Sequence, residues 1–331
     1  MKPNIQWSYA INQWDVRMNT FVRHEEHARA FKTLSAVGFE AIELSAGTGR
    51  WANLGRPEII ELNHGSVQGF RKFLFESGIK KVSSMYWDPG TPSEEEGWRF
   101  CSIANPADHE AIARTATNLA KFVAEVGGDT LVVRPCGSAW TMGKPERETV
   151  AKIAMGWTRV AEAIASTGTR LALHFDCLCA IHDRAQIDAL LGMLDSDRVG
   201  IAVDTAELTI AGIDPAEFMR GHAPFVRHVH LKNARYRDSG QQYLQPAAEQ
   251  AMLHGSDERG IERWFFELGV HGGLVDVPGV MKVLDEIAYT GWVVVESDGG
   301  SDPAELVMLN GWYLKQKLGL PLRLIGQEQH S

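Results

Sequence analysis

The chain has 331 residues, of which 44% are hydrophobic and 23% charged, and it carries a formal net charge of −9. That acidic balance argues against a nucleic-acid backbone as the main partner. No apolar run is long enough to span a bilayer, and four cysteines are too few for a disulfide scaffold. The start "MKPNIQWSYA" lacks a charged-then-apolar secretory pattern, so an unprocessed cytoplasmic protein is expected.

Apolar strand-like runs alternate with helix-like stretches along the chain. "NIQWSYA" is followed by a helix over residues 25–37, and "AIELSA" by one over 67–77. "KVSSMYW" leads through a Gly/Pro/Glu-rich loop into the helix "DHEAIARTATNLAKFVAEVG". "TLVVRPC" precedes a helix over 147–166, and "RLALHFD" precedes "DRAQIDALLGML". "VGIAVDTAE" comes sixth, with a short helix after Pro215. "VRHVHLK" comes seventh, followed by the longest loop, 233–276, and a helix over 278–288. "WVVVESD" is eighth, with a closing helix over 303–317. Eight strand–helix pairs with no composition break predict one α/β domain spanning 1–331, a single (β/α)8 TIM barrel. A doubly wound open sheet is the alternative, but the first strand–helix turn lacks G-x-G-x-x-G. The segment 233–276 is too long for a plain connection. It is expected to serve as a lid, a dimer contact or a docking surface for a partner subunit, and a homo-oligomer is expected.

The strands obey one phase rule. Side chains alternate between faces, so Leu171, Leu173 and Phe175 oppose Ala172, His174 and Asp176. Ile201 and Val203 oppose Ala202 and Asp204, and Val293 and Val295 oppose Val294 and Glu296. Bulky residues point outward to helices, small ones point inward, and a polar inward residue closes each strand. By this rule Glu43, Arg134, His174, Asp204, His230 and Glu296 converge on one mouth, with His228 deeper and Lys232 at the same strand end. Buried charges must be paired or bound to something. Two carboxylates and two imidazoles, without a thiolate, suit a divalent ion such as Mn²⁺, Co²⁺, Mg²⁺ or Zn²⁺. Aromatic side chains of the early loops (Trp7, Trp14, Tyr86, Trp87, Trp98) are candidates for stacking on a sugar or, more simply, for packing.

At these residues the sequence resembles the sugar phosphate isomerase/epimerase superfamily, the xylose isomerase-like TIM barrels, and within it inosose dehydratase-type proteins. The resemblance is carried by "VGIAVDTAELTIAGIDPAEF", "VRHVHLKNAR" and "FFELGVHGGLVDVPGVMKVLDEIAYTGWVVVESD". It implies a metal site with one ligand from each of strands five to eight: His174, Asp204, His230 and Glu296. Two departures stand out. Many relatives have Glu where His174 stands, and the histidine of their D-T-G-H motif is replaced by Glu207. Glu207 is read first as a solvated charge at a helix start, with additional metal ligand or base as alternatives.

The resemblance implies a lyase or isomerase/epimerase that removes a proton beside the carbonyl of a keto-polyol or keto-sugar through an enediolate. Manganese is the first choice of ion. His174 and Glu296 are expected to combine ligand and base roles, and Lys232 to donate a proton or hold the oxyanion. Glu43, Arg134 and Arg235 are expected to position substrate, and Asp176 to orient His174 or touch substrate. Three alternatives are β-elimination of the aglycone from a 3-keto-glycoside, a metal-dependent abasic-site endonuclease, and a non-catalytic sugar-binding barrel.

Overall fold

The computed structural model describes residues 5–12, 14, 24–46, 56–90, 100–245, 265–298, 302–320 and 322. The seven strands β1 (Gln6–Ala10), β2 (Ala41–Ser45), β3 (Lys81–Trp87), β4 (Thr130–Val133), β5 (Arg170–His174), β6 (Val199–Asp204) and β7 (Val226–Leu231) alternate with helices. Two short strands, β8 (Asn233–Ala234) and β9 (Phe265–Phe266), then pair antiparallel outside the main sheet. The last strand, β10 (Trp292–Val295), closes a barrel in the order β1-β10-β7-β6-β5-β4-β3-β2. Every barrel pair is parallel. The expected barrel is therefore the observed one.

Strands covered by helices outside and side chains inside must be apolar on the outer face. Leu171, Leu173, Ile201, Val229, Leu231, Val293 and Val295 all join one core cluster with helix residues such as Ile187, Leu190, Val280 and Val307. Burial of each such side chain stabilises the fold by roughly 1.5–3 kcal/mol. Several helices start where a side chain supplies an acceptor for free N–H groups. Asp183 and Gln186 form a reciprocal capping box, and Asp214 and Asp302 each cap a helix whose first residue is proline. Trp157, fully buried on helix Arg147–Ile164, donates from Nε1 to Pro135 O at 2.8 Å. That bond ties an outer helix to the residue next to Arg134.

Inside the barrel, Val132, Ala172 and Ala202 form a small apolar layer against Tyr86. Beside it lies a polar seam. The β2–β3 register slips between Ile42 and Glu43, so that Ile42 faces Val82 but Glu43 faces Ser84. Ser83 is left as the extra residue of a bulge. Both hydroxyls then turn inward: Ser83 meets Ser8 at 2.8 Å and Ser84 at 2.9 Å. Among the described residues, three helices fall outside the hydrophobic pattern: Pro57–His64, Ala139–Met142 and Thr205–Ile210. No helix among the described residues is long and apolar enough to cross a membrane.

Candidate metal and substrate site

The register of β6, β7 and β10 sets the site. Asp204 stands opposite His230, and His230 opposite Val294, so Glu296 follows two residues beyond. The chain then brings four ligand atoms together at one level. His174 Nε2 lies 3.4 Å from Asp204 Oδ2, which is 3.8 Å from His230 Nδ1. His230 Nδ1 lies 3.2 Å from Glu296 Oε2. Donors about 2.1 Å from a shared ion are roughly 3–3.4 Å apart; His174, Asp204 and His230 offer atoms that all lie within 4.8 Å of one another, and Glu296 adjoins them through His230. The buried Nδ1 of His230 also lacks a well-aligned hydrogen bond. The N/O donor set and this orphaned nitrogen together fit the ion expected from sequence.

Glu43 supports this set from behind. Its Oε1 lies 2.9 Å from His230 Nε2, and its Oε2 lies 3.0 Å from His228 Nε2. Ser84 donates to the same Oε2 at 2.6 Å. A carboxylate on Nε2 leaves Nδ1 as the lone-pair face of His230. Burial works against ionised Glu43, but His230 and His228 hold its carboxyl below the usual range. Burial likewise disfavours charge on His230, but Glu43 and Glu296 hold it well above the ordinary imidazole value. Glu43, His228 and His230 also form a close trio. Glu43 in that trio is also held by Ser84, so the trio of His174, Asp204 and His230, two of which line the cavity, is the better cradle.

Lys232 occupies the opposite flank. Its ammonium is 2.6 Å from Asp298 Oδ2, 3.1 Å from Glu296 Oε1 and 3.7 Å from Asp204 Oδ2. It also sits 3.9 Å from the ring centre of Phe265 on β9. Burial opposes the charge, but the three carboxylates raise the lysine well above its usual value. Asn12 Nδ2 donates to Glu296 Oε1 at 2.7 Å. Burial opposes ionised Glu296, yet Lys232 and His230 hold it well below the carboxylate range.

Asn12, Glu43, His174, His230, Lys232 and Glu296 line one cavity at the barrel mouth. Arg134 and Asp176 border it as a bidentate pair, Nε to Oδ2 at 2.7 Å and Nη2 to Oδ1 at 3.1 Å. Asp88 Oδ2 lies 3.5 Å from Arg134 Nη1. Asp176, expected to orient His174, holds Arg134 instead. His174 meets Tyr86 edge-on, ring centres 5.5 Å apart. Of the other early aromatics, Trp87 is buried, Trp7 and Trp14 pack against the core, and Trp98 lies outside the described residues.

Glu207 is not the solvated charge expected. It is 3% exposed, borders the cavity and accepts a hydrogen bond from Cys177 N at 2.9 Å. The cause is helix Thr205–Ile210, which begins directly at the strand end. Asp204 caps it through Oδ1, and Glu207 is drawn inward with it. Burial, reinforced by Asp204, pushes the Glu207 carboxyl up to about 7. Arg235, expected at the substrate, is exposed and lies over Phe266, 5.0 Å from the ring centre, away from the cavity. Of the segment 233–276, residues 246–264 lie outside the described residues. Asn12 and Asp298 had not been singled out. Asp298 carried a signal, since it shares the inward phase of Val294 and Glu296.

The architecture and its strand-end polar cluster define a (β/α)8 barrel of the ligand-at-the-mouth type. Residues 31–311 match the family described as Xylose isomerase-like TIM barrel, and the chain belongs to that family. Its curated relatives include the inosose dehydratase of Lacticaseibacillus casei, 25% identical over 173 residues, 51% of this chain and 55% of the relative. The inosose dehydratase of Geobacillus kaustophilus is 25% identical over 203 residues, 58% of this chain and 62% of the relative. The chain thus spans little more than half the length of the curated relatives it matches. Among solved structures, the probable 3-DHS dehydratase AsbF of Bacillus anthracis superposes with a TM-score of 0.67 at 15% identity, over 94% of this chain and 99% of that one. The D-allulose 3-epimerase of Methylomonas sp. in complex with D-allulose gives 0.65 at 15% identity, over 95% and 97%. At such identities the structural likeness is one of fold.

Proposed function

We propose that the protein is a divalent-metal-dependent lyase or epimerase that removes the proton beside the carbonyl of a keto-polyol or keto-sugar, in the manner of an inosose dehydratase. The observation that carries this reading is the convergence of His174, Asp204, His230 and Glu296 beneath one cavity. These four residues would hold the ion, with manganese the first candidate. The ion would supply Lewis-acid stabilisation of charge developing on the carbonyl oxygen. Glu43 fixes the ring of His230, and Asn12 and Lys232 fix the carboxylate of Glu296. Arg134, clamped by Asp176, presents a rigid polar edge to substrate hydroxyls.

Charge pairing supports an uncharged substrate. Among the described residues, both basic side chains of the cavity are already matched, Arg134 by Asp176 and Lys232 by Asp298 and Glu296. A nucleic-acid backbone would find no uncommitted basic side chain there, which weighs against the endonuclease alternative. The test is metal analysis of the purified protein, then incubation with a keto-inositol while ultraviolet absorbance is followed for an enone. His230→Ala and Glu296→Gln are expected to lose metal and turnover while circular dichroism stays unchanged. Full metal and full turnover in both variants would place the site elsewhere.

A further inference from the structure

A base must hold a lone pair within hydrogen-bond reach of the proton it takes. Apart from Glu207, the carboxylates around this cavity each face a cationic or imidazole side chain. Glu43 is engaged by His228, His230 and Ser84. Asp176 is gripped by Arg134 and accepts from Leu178 N at 3.0 Å. Asp88 accepts from Gly90 N at 2.8 Å and faces Arg134. Asp204 caps a helix with Oδ1 and turns Oδ2 to the imidazoles. Glu296 holds Asn12 and Lys232 on Oε1 and faces His230 with Oε2.

Glu207 is arranged differently. It lines the same cavity and its carboxylate is anchored by the backbone N–H of Cys177. Among the described residues no lysine, arginine or histidine forms a salt bridge with it. It stands three residues beyond Asp204, on the helix that Asp204 caps, so its position is fixed relative to the proposed ligands.

We infer that Glu207 is the catalytic residue that carries the proton in the reaction proposed above, and the inference rests on that reading. The Glu207 carboxylate takes the proton from the carbon beside the carbonyl, and the C–H electron pair passes into the enediolate. Collapse of the enediolate forms the C=C bond and breaks the C–O bond at the neighbouring carbon. The departing hydroxyl keeps the C–O pair, takes the proton from Glu207 and leaves as water. Glu207 returns to a carboxylate, and no oxidant or reductant is needed.

The test uses the full-length protein loaded with Mn²⁺, a keto-inositol as probe, and ²H₂O as solvent. Deuterium entry beside the carbonyl is read by NMR and enone formation by absorbance. Glu207→Gln keeps an acceptor for Cys177 N and removes the ability to take a proton. It is expected to lose both exchange and elimination by about 100-fold or more, with Mn²⁺ content and KM within about twofold of wild type. Glu207→Asp, which restores a carboxylate at a shorter reach, is expected to recover part of the exchange. Exchange at the wild-type rate in Glu207→Gln overturns the inference alone. Loss of Mn²⁺ from that variant also overturns it, because Glu207 is then a ligand. A wild-type protein that binds Mn²⁺ yet neither exchanges nor eliminates overturns the proposed reaction and this inference together.

Discussion

Lys232 and Asp298 form a buried ion pair at the barrel mouth, Nζ to Oδ2 2.6 Å, with both side chains no more than 5% exposed. Asp298 draws the ammonium toward itself, away from Asp204 at 3.7 Å. The pair therefore lets one lysine neutralise the cavity floor without filling the space between the imidazoles. Asp298→Ala removes the nearest partner and leaves a buried cation short of one hydrogen bond. Breaking a buried pair in this way typically costs about 3–5 kcal/mol. Glu296 and Asp204 remain within reach, so the expected loss lies toward the lower end. Urea denaturation of the metal-free protein checks this, and an unchanged midpoint would show that the pair contributes little.

Glu43→Gln isolates the support behind His230. The variant keeps an oxygen for Ser84 or an imidazole but loses the charge that sets the ring's tautomer. Changes behind a ligand histidine typically lower metal affinity about 10- to 100-fold. The same range is expected here for Mn²⁺ in a competition titration against a fluorescent chelator. Affinity equal to wild type would mean that His230 is oriented by packing alone.

The barrel was legible because helix-covered strands impose a strict outer-face rule. Leu171, Leu173, Val229 and Leu231 announce it, and the inward partners His174, Asp204, His230 and Glu296 follow from alternation. What alternation cannot reveal is who pairs with whom across the barrel. Asp176 shares the inward phase of His174, yet a guanidinium from the neighbouring strand end, Arg134, reaches it first. Asn12 meets Glu296 across a sequence separation of 284 residues, through a loop with no periodicity. Glu207 was misjudged because a helix start beside a loop normally faces solvent. Here helix Thr205–Ile210 begins within the strand end and is buried along its length. Arg235 differs for a related reason: β8 pairs with β9 outside the barrel, and the guanidinium lies over Phe266 rather than lining the cavity.

The thiols provide a check on packing independent of any substrate. Cys101, Cys136, Cys177 and Cys179 are all buried thiols. Burial, and for Cys177 the nearby Glu207, raises the thiols of Cys177 and Cys179 well above their ordinary value. The thiolate is the reactive form. Ellman's reagent at mildly alkaline pH is therefore expected to react slowly or not at all with the folded protein, and with all four cysteines after denaturation. Rapid reaction of Cys177 in the native state would contradict the burial of Glu207 beside it.

Metal binding to the folded site alone must raise stability by mass action. At an Mn²⁺ concentration 100 times Kd the gain is about 2.7 kcal/mol. Asp204→Asn removes one ligand charge, while the amide oxygen still offers an acceptor to Ala206 N and Glu207 N, which the aspartate now caps. The helix cap thus survives in form while the cation loses an anionic donor. Thermal melts with Mn²⁺ and with a chelator should separate strongly for wild type and nearly coincide for Asp204→Asn. Equal separations in the two proteins would mean that Mn²⁺ binds without Asp204, and the four-residue cradle would have to be redrawn.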